Sequence, residues 1–178
     1  AFMNLKQLFT KGSRHNKSFM MERSRCCAFT GHRPEKLLGK EAYVIVELRK
    51  EILAAIADGY TTFISGCSRG VDLWAADIVL ELQRSNKELR LACAIPFPDF
   101  DDRWPVDWKK HFQLVKKKAD YIQILEQSYS PGVYQKRNEF MCDHASRIIA
   151  VCDGKPSGTQ NTIDYARLQN IPVRLIKP

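Results

Sequence analysis

No run of about 18 apolar residues occurs in the chain, so the sequence predicts nothing that spans a membrane. Glycine and proline are sparse, 9 and 8 among 178 residues, which excludes a collagen-like or low-complexity chain. None of the six cysteines forms a Cys-x-x-Cys pair. Cys26, Cys27, Cys93 and Cys152 sit in runs that read as buried strands, so reduced core thiols and a cytoplasmic location are expected. A charged-then-apolar secretory leader is also missing.

Acidic residues are in deficit, 20 against 28 lysines and arginines, for a net charge of +8. Residues 1–25 alone account for +5, leaving only +3 on the other 153 residues. The excess therefore belongs mainly to a basic leader, and the remainder is nearly balanced. Residues 1–24 are read as an extension with one short apolar cluster, Phe2, Leu5, Leu8 and Phe9, spaced for a helical turn or two. Ala1 opens the chain and Met stands at 3, 20 and 21, which is compatible with part of the leader being a cloning remnant. Residues 25–178 are long enough for one domain that buries roughly two-thirds of its unfolded surface.

Within that domain short apolar runs occur at Arg25–Thr30, Tyr60–Ser65, Leu89–Ile95, Tyr121–Leu125, Arg147–Cys152 and Ile171–Ile176, six candidate strands. Five segments between them carry apolar residues three or four apart, among them Val44, Leu48, Ile52 and Ile56, and a third that begins at Trp104. Strict alternation predicts an α/β Rossmann-like domain, a mostly parallel six-stranded sheet with helices on both faces. Ligands of such sheets bind beyond the carboxyl ends of the strands, near the point where strand order reverses.

The loops after the strands hold suitable groups. Thr30, Gly31, His32 and Arg33 follow the first strand, with Gly31 allowing close backbone approach and His32 and Arg33 offering donors for an anion. Ser65, Gly66, Cys67, Ser68, Arg69, Gly70 and Asp72 follow the second, a glycine-bracketed turn whose amides are expected to cradle phosphate at a helix start. It lacks the Gly-Lys-Ser/Thr ending of a Walker loop and the Gly-x-Gly-x-x-Gly pattern. Asp72 has a plainer alternative, complementing the helix dipole. Asp153, Gly154, Gly158, Thr159 and Asn161 belong to a second glycine-rich turn that opens the last helix, where Ser157 or Thr159 would serve equally as an ordinary cap.

On the fourth helix Val133, Arg137, Phe140 and His144 share one stripe, so Arg137 is predicted to point inward and to need an anion or an acid. His144 fits a hydrogen-bonded core histidine. Trp104 and Trp108 fit the core better than a base-stacking role, and Lys109, Lys110 and Lys116–Lys118 fit a solvated face. No spacing supports a metal site, including the acidic cluster Asp99, Asp101 and Asp102.

The stretch Cys26 to Leu37, the stretch Ile64 to Ala76, Tyr134 to Asp143, and Asp153 to Ala166 with its Gly-Thr-x-Asn-Thr core together resemble the YpsA-like family of bacterial proteins, a branch of the SLOG superfamily. The resemblance covers about residues 25–176 and implies a Rossmann-like fold that binds a nucleotide-derived ligand: a mononucleotide, ADP-ribose or a dinucleotide such as NAD. It requires no further cofactor. The superfamily also contains the LOG phosphoribohydrolases, which cleave an N-glycosidic bond, and DprA, which binds single-stranded DNA. Arg137 matches the LOG arginine and Gly158-Thr159 the LOG turn, but Gln160, Asn161 and Thr162 stand where the glutamates would be. Hydrolysis by that route would lack its carboxylates, with Glu139 or Asp72 left to substitute for them. Cys67, Ser68 and Arg69 replace the small apolar residues common in relatives. The expected function is therefore a sensor or regulatory module for a nucleotide-derived small molecule. An N-glycosidase acting on nucleoside monophosphates and single-stranded nucleic-acid binding are the alternatives, and a homodimer is left open.

Overall fold

The computed structural model describes residues 21–178, so the cluster Phe2 to Phe9 and most of the proposed extension lie outside the described residues. Six strands and five helices alternate: β1 (Cys26–Gly31), α1 (Glu41–Ala57), β2 (Thr62–Ser65), α2 (Val71–Leu82), β3 (Arg90–Ile95), α3 (Val106–Lys118), β4 (Tyr121–Ile124), α4 (Val133–Asp143), β5 (Arg147–Val151), α5 (Gly158–Leu168) and β6 (Val173–Ile176). All pairings are parallel, and the order across the sheet is β4-β3-β2-β1-β5-β6. This is the Rossmann-like α/β fold expected, and each strand falls within two residues of its sequence boundaries.

Period-two alternation on strands buried from both sides sorts the core into two layers. Cys27, Phe29, Phe63, Leu91, Cys93, Ile149 and Val151 pack with Val44, Leu48 and Ile52 of α1, Leu73 and Ile78 of α2, and Phe112 and Val115 of α3. Cys26, Ala28, Ile64, Ala92, Ala94, Ile148 and Ala150 face the other way, against Met141 and Cys142 of α4 and Ile163 and Ala166 of α5. All six cysteines are buried and free. Burial pushes the Cys26 thiol up to about 11 and the Cys142 thiol to about 12, which keeps both in the thiol form at neutral pH.

One boundary differs. Trp104 precedes α3, because Pro105 sits at the helix cap and its ring excludes a preceding helical turn. Trp104 instead packs edge-on against Phe100 at 4.9 Å, while Trp108, inside α3, meets Trp74 at 6.2 Å. No helix among the described residues is long and apolar enough to cross a membrane.

β1 lies between β2 and β5, so the chain leaves β1 toward one edge and returns on its other side. The crevice between the loops after β1 and β5 is thus the switch point. α2 packs hard against this end of β1: a Cβ built on Gly31 would lie 2.5–2.6 Å from three side-chain atoms of Val71. Gly31→Ala is expected to lose about 1–3 kcal/mol of stability or more through this overpacking, read as a lower denaturant midpoint with an unchanged slope.

Candidate functional site

A cleft of about 210 Å³ opens at the switch point. Four elements line it: Thr30, Gly31, His32, Arg33 and Lys36 at and after the end of β1; Ser68 and Asp72 from the turn into α2; Tyr134, Arg137 and Asn138 from α4; and Ser157, Gly158 and Thr159 at the start of α5.

Arg137 spans these elements. Its side chain is buried, and its Nη1 donates to the carbonyl of Gly66, its Nη2 to Ser68 Oγ at 3.3 Å, and its Nε to Asn138 Oδ1 at 2.8 Å. Three of the five guanidinium N–H groups are so engaged and two remain for another acceptor. The fit requires glycine at 66, where a Cβ would stand 2.7 Å from Arg137 Nη1 and 2.8 Å from Asp72 Oδ2.

Asp72 faces the same space. It is buried in the first turn of α2, its Oδ2 accepts the Ser68 amide at 3.2 Å, and its Oδ1 is buried with no partner. Burial pushes this carboxyl above the usual range, against the opposing pull of Arg137 and of the Ser68 amide. Desolvation likewise pushes Arg137 below the ordinary arginine value, partly offset by Asp72. A buried carboxylate oxygen without a donor is costly, and Asp72 is one of the residues of the cleft wall.

The two glycine-rich turns differ. After β2 the amide of Cys67 donates to Ser65 Oγ at 3.1 Å and that of Ser68 to Asp72 Oδ2, while Ser65 Oγ donates to the carbonyl of Asp72 at 2.8 Å. Of the amides expected to cradle phosphate after Gly66, those of Cys67 and Ser68 already have side-chain acceptors. Ser65, Gly66 and Gly70 shape the turn without lining the cleft, and Cys67, at φ 57°, points its thiol into the core. Arg69 turns away to pair with Glu35, whose carboxyl is held below its usual range first by its own backbone amide and then by Arg69. After β5, Ser157 caps α5 by accepting the Gln160 amide at 3.1 Å, and the amides of Gly158 and Thr159 sit at the helix start beside the cleft.

Asp153, Gly154 and Asn161 lie off the cleft wall. Asp153 instead meets His32 across the switch point, Oδ1 to Nε2 at 3.0 Å, and joins the loops after β1 and β5. Its carboxyl is lowered first by the Lys155 amide and then by His32. Cys152 Sγ lies with His32 Nε2 and Asp153 Oδ1, all within 4.8 Å, which is the spacing of a metal group. Backbone amides already point at two of these atoms, that of Asp153 at His32 Nε2 at 3.1 Å and that of Gly154 at Cys152 Sγ at 3.4 Å. His144 caps the end of α4, its Nδ1 2.7 Å from the carbonyl of Phe140.

Lys36, Tyr134, Asn138 and Ser157 also line the cleft and were not among the expected residues. Tyr134 stands three residues before Arg137, hence on its helical face, a spacing from which it could have been inferred. Lys36 could not: a short 3-10 turn, Pro34–Lys36, brings it back over the end of β1.

The family model described as the YspA SLOG family matches residues 27–176. The chain belongs to this family, a YpsA-type branch of the SLOG proteins. It is 32% identical to the SPbeta prophage-derived protein YoqJ of Bacillus subtilis (strain 168), over 69% of this chain and 82% of that one. It is 30% identical to a UPF0398 protein of Bacillus thuringiensis (strain Al Hakam), over 76% of this chain and 78% of the relative. Among solved structures, DNA processing protein A (DprA) of Streptococcus pneumoniae superposes with a TM-score of 0.58 at 16% identity, covering 85% of this chain and 50% of that one. DprA of Helicobacter pylori, a structure described for its single-stranded DNA binding mode, superposes with a TM-score of 0.56 at 18% identity over 84% of this chain and 64% of that one. These two likenesses show the shared fold.

Two outcomes follow from the geometry. Arg137→Met leaves Asp72 buried without its cation and is expected to cost about 3–5 kcal/mol of stability in chemical denaturation. Asp153, lowered in the folded state, contributes stability above its ordinary value of 3.8 that is lost as pH falls through the folded value. Asp153→Asn should therefore lose less stability than the parent on acidification from pH 7 to pH 3, as followed by urea midpoints.

Proposed function

We propose that the cleft binds the ribose-phosphate part of a nucleotide-derived ligand and that the protein acts as a sensor or regulatory module for it. The observation that supports this reading is Asp72, a residue of the cleft wall whose Oδ1 is buried without a donor, beside the cationic Arg33, Lys36 and Arg137. A sugar hydroxyl supplies the missing donor, and the phosphate meets Arg33, Lys36, the free N–H groups of Arg137 and the first amides of α5. The volume supports a fragment of this size, since whole drug-sized ligands occupy roughly 300–1,000 Å³. Thr159, also on the wall, adds a hydroxyl.

Thermal unfolding of the full chain with ribose 5-phosphate, AMP, ADP-ribose, NAD and a short single-stranded DNA, at moderate salt, tests this. A ligand at about a hundred times its Kd adds about 2.7 kcal/mol, a rise of roughly 5–10 °C for a chain of this size. The phosphorylated ribose compounds are expected to give that shift, and Arg33→Ala with Lys36→Ala to abolish it. No shift with any of them would overturn the reading.

The fold shared with H. pylori DprA favours single-stranded nucleic acid as a second reading. It requires binding by the DNA that weakens steeply with salt, because phosphate contacts release counterions.

A further inference from the structure

On the ribose-phosphate reading the cleft leaves the rest of a nucleotide outside, and what stands outside at one end is aromatic. Tyr134, on the cleft wall beside Arg137, meets Phe97 edge-on, with centroids 6.0 Å apart and planes at 69°. Phe97 in turn meets Tyr129 edge-on, at 5.8 Å and 79°. Phe97 follows β3 and Tyr129 follows β4, so both stand at the carboxyl edge of the sheet that also bears the cleft. The row passes from the half-buried Tyr134 and Phe97 to Tyr129, which is 63% exposed.

The inner end of this row has a core role, since Phe97 also packs on Phe100 at 6.3 Å. Tyr129 has none that accounts for its exposure. Large exposed aromatics continuous with a polar cleft fit a ligand with an apolar planar part joined to a polar one. An edge-on pair covers at most one face of each ring, so stacking surface remains.

We propose that Tyr129, with Phe97 and Tyr134 behind it, is a stacking ledge for the nucleobase whose ribose phosphate sits in the cleft. This rests on the ribose-phosphate reading of the cleft. The ledge recognises a π-face and not a hydrogen-bonding edge, so it accepts any base and takes it from a free nucleotide or from a single strand alike.

Calorimetric titration of the full chain with ribose 5-phosphate and with AMP, for the parent, Tyr129→Ala and Tyr129→Phe, tests the ledge. AMP is expected to bind the parent about tenfold or more tightly than ribose 5-phosphate. Tyr129→Ala should bring AMP down to the level of ribose 5-phosphate and leave ribose 5-phosphate unchanged, while Tyr129→Phe keeps the preference. Equal binding of the two ligands by the parent, or an AMP preference that survives Tyr129→Ala, overturns the ledge and leaves the cleft reading standing. Binding of AMP through Tyr129 with none of ribose 5-phosphate overturns the cleft reading and leaves the ledge. Binding of neither overturns both. A short oligothymidylate that displaces AMP and depends on Tyr129 identifies the strand as a source of the base, and AMP binding without displacement identifies the free nucleotide.

Discussion

A buried guanidinium organises the carboxyl edge of this sheet. Removing Arg137 from water is tolerable only because Gly66, Ser68 and Asn138 supply acceptors and Asp72 supplies opposite charge. Each partner comes with a geometric demand: no side chain at 66, a turn that lifts the Ser68 hydroxyl toward α4, and a helix start that places Asp72 beside them. The turn after β2, the start of α2 and the middle of α4 are thereby held to one another at the place where ligands of such sheets bind. The pair is left slightly out of balance, with one Asp72 oxygen unsatisfied in a residue that lines the cleft.

The same economy separates the two glycine-rich turns. In the first, short polar side chains turn back on their own backbone and consume the amides of Cys67 and Ser68. In the second, Ser157 satisfies the third amide of the helix and the earlier amides stand at the cleft. Side chains thus take the amides of Cys67 and Ser68 in the first turn and those of Asp153, Gly154 and Lys155 in the second, with the start of α5 left open beside the cleft. The His32–Asp153 contact then ties the loop after β1 to the loop after β5, which keeps the open turn in register with Arg33 and Lys36.

The chain belongs to the YspA SLOG family and shares the fold of DprA, and open α/β sheets bind ligands at the carboxyl ends of their strands. Two local features accompany this edge: Gln160, Asn161 and Thr162 after the α5 turn, and the aromatic row from Tyr134 to Tyr129. The first places no carboxylate directly after the Gly158-Thr159 turn, and the second runs outward from the cleft wall at Tyr134.

Short apolar runs in alternation with helical stripes determined the fold class by themselves, because strands buried on both faces read as near-continuous apolar runs and parallel neighbours need a helical crossover. Inward-facing Arg137 was legible for the same reason, from its place on the stripe of Val133 and Phe140. Only the tertiary structure decided what those residues meet. Hydrogen bonds between residues far apart in sequence, such as His32 with Asp153 at 121 positions, and the 3-10 turn that brings Lys36 to the cleft have no local period to betray them. Nor could composition tell an open turn from a closed one: whether an amide is free depends on where a neighbouring side chain folds back, and that is set by packing in three dimensions.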